Sequence, residues 1–212
     1  MNVLERYSGE TVVGIGAHPD DLEIGMGGTL ARLARGGARV IMVAVAVPGQ
    51  LDERLGEAQR AADILGARMM EVLERDQPRR VEDLHMYELV GMIDRVIRDH
   101  QPSALFTHSD LELHHDHILV HRAVLSSMRL RPMDIYFFAP STCKPSLRSW
   151  QPRVWVDITE TIDLKIQAIS AHDSQFQRRG ICVDRFRQQA QAQGIPLGIP
   201  FAEGLDLMCL RS

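Results

Sequence analysis

The chain has 212 residues, of which 45% are hydrophobic and 25% charged, and its formal net charge is −4. This composition excludes disordered and collagen-like chains, and the length predicts a single domain over residues 1–212, with a core large enough to need no covalent staple. A weakly acidic chain offers no basic field to nucleic acid or to an anionic membrane.

The apolar pattern then alternates between two periods. Residues 11–17 (TVVGIGA) form a β-branched run of the kind found in strands buried on both faces. Residues 28–35 (GTLARLAR) have helical spacing, closed by Gly36 and Gly37. Residues 39–47 (RVIMVAVAV) predict a second buried strand, stopped by Pro48 and Gly49. A helix follows over residues 54–65, ending at Gly66, and then a strand over 67–73. Residues 84–99 place Leu89, Met92, Ile93, Val96 and Ile97 on one helical face. Residues 103–107 (SALFT) predict a fourth strand and residues 117–130 a helix. Strands over 134–138 and 154–158, a helix over 161–170 and a short strand over 205–210 complete the series. This alternation predicts an α/β fold, a Rossmann-like three-layer sandwich with a mostly parallel sheet. Such sheets bind ligands beyond the carboxyl ends of their strands, here the loops after Ala17, Val47 and Thr107.

Two of those loops concentrate chemistry. The first reads His18-Pro19-Asp20-Asp21-Leu22-Glu23, and the second runs from Thr107 through His108, Asp110, Glu112, His114, His115 and Asp116 to His117. Six of the nine histidines (His18, His108, His114, His115, His117, His121) lie in or just after them. The loops meet at one rim if the first and fourth strands are neighbours. Imidazole and carboxylate suit a borderline metal such as zinc, and a catalytic site keeps three protein ligands with one position open. His18, Asp21 and one histidine of the second loop would supply that set and leave Asp20 as a spare carboxylate. In an extended loop adjacent side chains point to opposite sides, so one aspartate can ligate while the other takes a proton. The plain alternatives are Asp20 as the cap of the following helix and the second loop as a solvated turn.

Gly14 and Gly16 with Gly25, Gly27 and Gly28 match G-x-G-x-x-G poorly, and no P-loop is present, so no nucleotide cofactor is expected. The glycines are expected to let backbone pass close to the site or the next helix pack closely. Cys143, Cys182 and Cys209 stand far apart, which argues against a disulfide framework or a cysteine zinc site. The longest apolar run, residues 40–47, is shorter than the roughly 20 residues of a membrane span. Residues 1–10 lack the apolar stretch of a signal peptide, and a cytoplasmic location is expected.

The string Ala17-His18-Pro19-Asp20-Asp21-x-Glu23, followed by Gly25-x-Gly27-Gly28, resembles the signature of the PIG-L/LmbE family of zinc-dependent N-acetylglucosaminyl deacetylases. The resemblance continues in Arg54-x-x-Glu57 with Leu65-Gly66, in His114-His115-Asp116-His117, and in Val156-Asp157-Ile158-Thr159 with Lys165 and His172-x-Ser174-Gln175. Ala202-Glu203 is similar to the pair before the family's last strand. The resemblance implies that His18, Asp21 and His117 bind the zinc and that Asp20 is the general base. It makes His114 the histidine that faces the reacting carbonyl and Arg54 a substrate-contacting arginine. Asp116 would orient a neighbouring imidazole or cap the following helix. Fe²⁺, Co²⁺ or Ni²⁺ would suit the same ligands. Glu112 and Leu113 depart from the family, which often carries arginine or tyrosine there. His115 and His121 are additional imidazoles; His121 is expected to be solvated and His172 to pack or to line the substrate rim.

The implied reaction is removal of an N-acetyl group from a small amino sugar or glycoconjugate, giving acetate and a free amine. Asp20 would take the proton of the attacking water, and His114 would stabilise the oxyanion. A homo-oligomer is compatible with the resemblance. The rival readings are a same-fold amidase acting on a non-sugar amide or thiol conjugate, a non-catalytic metal- or sugar-binding protein, and a nucleotide-binding α/β protein.

Overall fold

The computed structural model describes residues 3–139 and 150–210; Cys143 lies outside the described residues. The strands are β1 (Thr11–Gly16), β2 (Arg39–Ala46), β3 (Met69–Glu74), β4 (Ala104–His108), β5 (Asp134–Phe138), β6 (Val154–Asp157) and β7 (Ala202–Cys209). The helices are α1 (Asp21–Arg35), α2 (Leu51–Leu65), α3 (Met86–His100), α4 (His115–Ser127), α5 (Ile162–Ser170) and α6 (Asp184–Gly194). The sheet order is β3-β2-β1-β4-β5-β7-β6, with β1 to β5 parallel and β7 antiparallel to both of its neighbours. The expected Rossmann-like sandwich is therefore present.

Strand alternation divides the core. Val12, Met42, Phe106, Tyr136 and Phe138 face α1, α2 and α5 on one side. Val13, Ile15, Ile41, Val43, Leu105, Ile135 and Phe137 face α3 and α4 on the other. Both faces are covered, which is why these strands read as continuous apolar runs rather than alternating ones. From β1 the chain winds outward to β2 and β3, then crosses back to β4. This reversal opens a crevice at the carboxyl ends of β1 and β4, which are paired from Val12↔Ala104 to Ile15↔Thr107.

α1 begins earlier than its apolar spacing suggests, because three glycines dilute the pattern. They permit close packing: a side chain at Gly25 would collide with the Phe138 ring, and one at Gly28 would lie 2.8 Å from Ile158 Cβ. The helix also breaks at Met26 (φ −153°, ψ 25°). The amides freed beyond the break donate to buried Glu203 of β7, Gly28 N at 3.1 Å and Thr29 N at 2.7 Å. Lys165 of α5 neutralises that carboxylate at 2.5 Å. A buried carboxylate thus serves as a remote helix cap.

Beyond α1, three elements differ from the sequence expectation: α2 begins at Leu51 rather than at 54, and β7 and α6 depart further. β7 starts at Ala202, ahead of the predicted 205, and lies between β5 and β6. Glu203 interrupts the apolar pattern because it is spent on the α1 break. α6 was not predicted at all: of its residues only Phe186, Ala190 and Gly194 are buried, too few for a helical stripe.

Candidate active site

β1 delivers the first loop to the crevice. Asp20 has a left-handed backbone (φ 105°, ψ −23°), a conformation that costs a non-glycine residue about 1–2 kcal/mol. Although it occupies the N-cap position of α1, its side chain makes no capping bond. The loop is therefore not extended. The left-handed turn, rather than strand alternation, sends the two aspartates different ways. Asp21 opens α1 and is fixed by the His18 amide, which donates to its Oδ2 at 2.8 Å.

β4 delivers the second loop alongside. Its last residue, His108, is fully buried and accepts the Ala17 N–H on Nε2 at 3.0 Å, which joins the ends of the two strands. His117, in the first turn of α4, stacks on His108 with ring centres 4.0 Å apart. His117 Nε2 lies 3.3 Å from Asp21 Oδ1, and His18 Nδ1 lies 3.7 Å from Asp21 Oδ2. One ligand atom from each of His18, Asp21 and His117 can be chosen with all three within 4.8 Å of one another. Donors about 2.1 Å from a tetrahedral ion lie about 3.4 Å apart, so this trio can hold a divalent ion.

The outer nitrogens of both imidazoles face carboxylates. His18 Nε2 lies 2.9 Å from Asp116 Oδ2, and His117 Nδ1 lies 3.2 Å from Glu112 Oε1. That is the arrangement by which metal sites fix the tautomer and aim of their histidines. Asp116 also accepts the amides of Val81 (3.2 Å) and Glu82 (3.0 Å), so it orients His18 and does not cap α4. His108, Glu112 and His117 form a second buried group with metal-binding spacing, but it shares His117 with the first.

The charges are arranged for a cation. Burial alone would lower the His117 pKa, yet Asp21 and Glu112 outweigh it and hold the group up at about 10. Burial raises Asp21, but His117 and His108 pull it well below the usual carboxylate range. Asp20 is pushed up to about 6 by burial and by Asp21, with Arg54 and His172 pulling the other way. His114 is lowered by burial and by the neighbouring His117 and His18.

A cavity of about 720 Å³ opens over these groups, lined by His18, Asp20, Asp21, Arg54, His114, His115 and His117 among others. His114 stands at its exposed side, stacked on His117 with ring centres 4.6 Å apart. The structure thus brings all six predicted site residues to one cavity. Arg54 is not on an open helix surface: it is 5% exposed and donates to the Pro19 carbonyl at 2.7 Å. His121 is not solvated either, since it is buried with Nδ1 2.8 Å from the His108 carbonyl. His172 is buried against Glu23, Nε2 to Oε1 3.0 Å, behind the lining.

Sequence reasoning left Glu112 and His108 without roles. Their signal was spacing: Glu112 lies four residues after His108 and five before His117, close enough for one carboxylate to serve both rings.

Residues 13–128 match the family described as PIG-L, GlcNAc-PI de-N-acetylase. The chain is 28% identical over 173 residues to the uncharacterized deacetylase YaiS of Escherichia coli K12, covering 77% of this chain and 90% of that one. It is 26% identical over 191 residues to the diacetylchitobiose deacetylase of Thermococcus kodakarensis, covering 78% and 70% respectively. The fold is shared with GalB, the 4-carboxy-2-hydroxymuconate hydratase of Pseudomonas putida KT2440, at a TM-score of 0.78 and 22% identity, covering 96% and 98% of the two chains. With more than half of its length matched, and the histidines and aspartates of its two signature loops gathered at one cavity, the chain belongs to the GlcNAc-PI de-N-acetylase (PIG-L) family.

Proposed function

We propose that this protein is a metal-dependent N-deacetylase that hydrolyses the acetamido group of a small amino sugar or glycoconjugate, releasing acetate and a free amine. The observation that carries the reading is the convergence of His18, Asp21 and His117 on one point, with Asp20 beside them outside the ligand trio and His114 at the same cavity. The curated relatives are deacetylases, one of them named for diacetylchitobiose.

His18, Asp21 and His117 would hold the ion, zinc being the first choice and Fe²⁺, Co²⁺ or Ni²⁺ suiting the same donors. A divalent ion there supplies Lewis-acid polarisation of a carbonyl and a more acidic water. Asp116 holds the outer nitrogen of His18 in a hydrogen bond, and Glu112 stands 3.2 Å from the outer nitrogen of His117, an arrangement that favours a proton on each outer nitrogen and a lone pair on each inner one. Asp20 accepts the proton of the attacking water, its carboxylate lining the same cavity and standing outside the ligand trio. His114 donates an N–H to the oxyanion that develops on the acetyl group. Asp20 then returns its proton to the leaving nitrogen, and the proton of the acetic acid so formed passes to the released amine, so the step ends with Asp20 ionised, acetate and an ammonium group.

The test is acetate release by zinc-loaded protein from N-acetylglucosamine, diacetylchitobiose and a panel of non-sugar N-acetyl amides. Equal amounts of acetate and primary amine from a sugar, abolished by chelation and restored by zinc, are expected. Turnover confined to the non-sugar amides would replace the sugar with another substrate, and no acetate from any of them would end the deacetylase reading.

A further inference from the structure

Three arginines line the cavity, and they are not equivalent. Arg54 Nη2 lies 3.4 Å from Asp20 Oδ1, and Arg80 Nη1 lies 2.8 Å from Glu82 Oε1. Arg179 is exposed at the cavity and has no acidic partner among the described residues. Its neighbour Arg178 is used differently: it does not line the cavity, and it pairs with Glu53 at 2.5 Å and with Asp173 at 3.2 Å. The turn that carries both arginines is fixed. The Arg179 amide donates to the Phe176 carbonyl at 3.2 Å, and Gly180 closes the turn with a left-handed backbone (φ 66°). At the base of the turn Gln175 is 9% exposed and donates to the Ser174 hydroxyl at 2.9 Å. Ser174 in turn donates to Glu57 of α2, by its amide at 2.8 Å and its hydroxyl at 2.6 Å. With Arg178 on Glu53, the turn is pinned to α2 twice. Only the Arg179 side chain loses freedom when it takes a partner.

The rest of the lining indicates the kind of partner. Only Ile24 and Pro48 bring apolar side chains, and among the described residues no Phe, Tyr or Trp lines the cavity. Pockets for small neutral ligands are mostly apolar and aromatic with a few polar groups, and here that balance is reversed. The volume of about 720 Å³ leaves room beyond an acetamido-bearing ring. We propose that Arg179 is a specificity-determining residue, whose guanidinium binds an oxyanion, carboxylate or phosphate, carried by the substrate outside its acetamido group. The preferred substrate is then an acidic rather than a neutral N-acetyl amino sugar. The proposal rests on the reading of the site as an N-deacetylase. The planar fork of guanidinium donors matches two oxygens of either anion. Glu82, the acid that lines the same cavity beside Arg80, is already engaged by it.

The test presents four probes to the zinc-loaded full chain: N-acetylglucosamine, its 1-phosphate, its 6-phosphate, and N-acetylmuramic acid, which carries a carboxylate. Acetate release gives kcat/KM. Titration calorimetry in the Asp20→Asn background gives Kd without turnover. At least one acidic probe is expected to bind about 10–100-fold more tightly than N-acetylglucosamine, the scale of a charge-assisted hydrogen bond, with kcat/KM higher to match. The probe that gains tells a phosphate from a carboxylate. Arg179→Ala should bring the acidic-to-neutral ratio close to one, and Arg179→Glu should invert it. Melting temperature and zinc content, measured alongside, check that both variants are folded and loaded. Equal affinity for the neutral and all three acidic probes would overturn the proposal. So would a preference that survives Arg179→Ala, since the anion would then sit on the metal or on another arginine. No acetate from any probe, with the Arg179-dependent affinity intact, would instead end the deacetylase reading and leave the anion site standing.

Discussion

The two ends of the sheet both bury an aspartate, and they treat it differently. At the amino end, Asp134 opens β5 and is fully buried. It accepts the Tyr7 hydroxyl at 2.6 Å, with Tyr136 2.9 Å from the same hydroxyl and Arg6 at 3.4 Å from the carboxylate. Burial and that acceptance push the Tyr7 phenol far up, so it stays a neutral donor. At the carboxyl end, Asp21 sits among imidazoles that press positive charge on it, and the buried Nδ1 atoms of His108 and His117 find no well-aligned hydrogen bond. One end satisfies its carboxylate and uses it as an anchor. The other tolerates imperfect satisfaction, which stable folds do at functional sites.

The contrast can be broken in four places, from the largest effect to the smallest. His18→Ala is expected to lose the metal and drop acetate release to background; equimolar zinc retained after dialysis would remove His18 from the ligand set. Asp20→Asn should keep the metal and lose about 10²–10⁴-fold in kcat. At the opposite end, Tyr7→Phe should leave kcat unchanged and cost about 1.5–3 kcal/mol in chemical denaturation, the scale of a hydrogen bond to a charged group. A loss of activity without a loss of stability would show that the amino end is not merely an anchor. The last prediction concerns pH. Burial lowers the His172 pKa, but Glu23 outweighs it and the net shift is upward from 6.5. Its stabilisation is therefore complete below about pH 6.5 and fades as pH rises through the higher folded value. Metal-free wild type should lose more stability than His172→Gln between about pH 6.5 and 9, and parallel curves would contradict the pairing.

Much of this was legible in the sequence. β1, β2, β4 and β5 were readable to within a residue at each end because strands buried on both faces announce themselves as β-branched runs. The two ligand-bearing loops were legible because unlike ligand types crowd where a strand must end. What stayed hidden depends on distant chain. The start of α1 was masked by glycines that exist to admit Phe138 and Ile158. Glu203 looked like a break in a strand because its partners, Thr29 and Lys165, lie far off in sequence. Glu112 stood out only as a departure from the family, since its use depends on how far α4 rotates His117 toward it. Arg54 could not be told from an ordinary helix arginine until the turn at Asp20 was visible.

The splint across α1 has a consequence for how the molecule is made. The helix that presents Asp21 is completed by a carboxylate more than 170 residues downstream, Glu203 reaching Thr29 across a separation of 174. During synthesis the sheet can gather its parallel strands in order, but the first helix stays incomplete until β7 has left the ribosome. Nascent chains stalled with β7 still in the exit tunnel should therefore bind zinc far more weakly than chains released in full, and a stalled chain that captured the ion with full affinity would show that the helix closes without its distant cap.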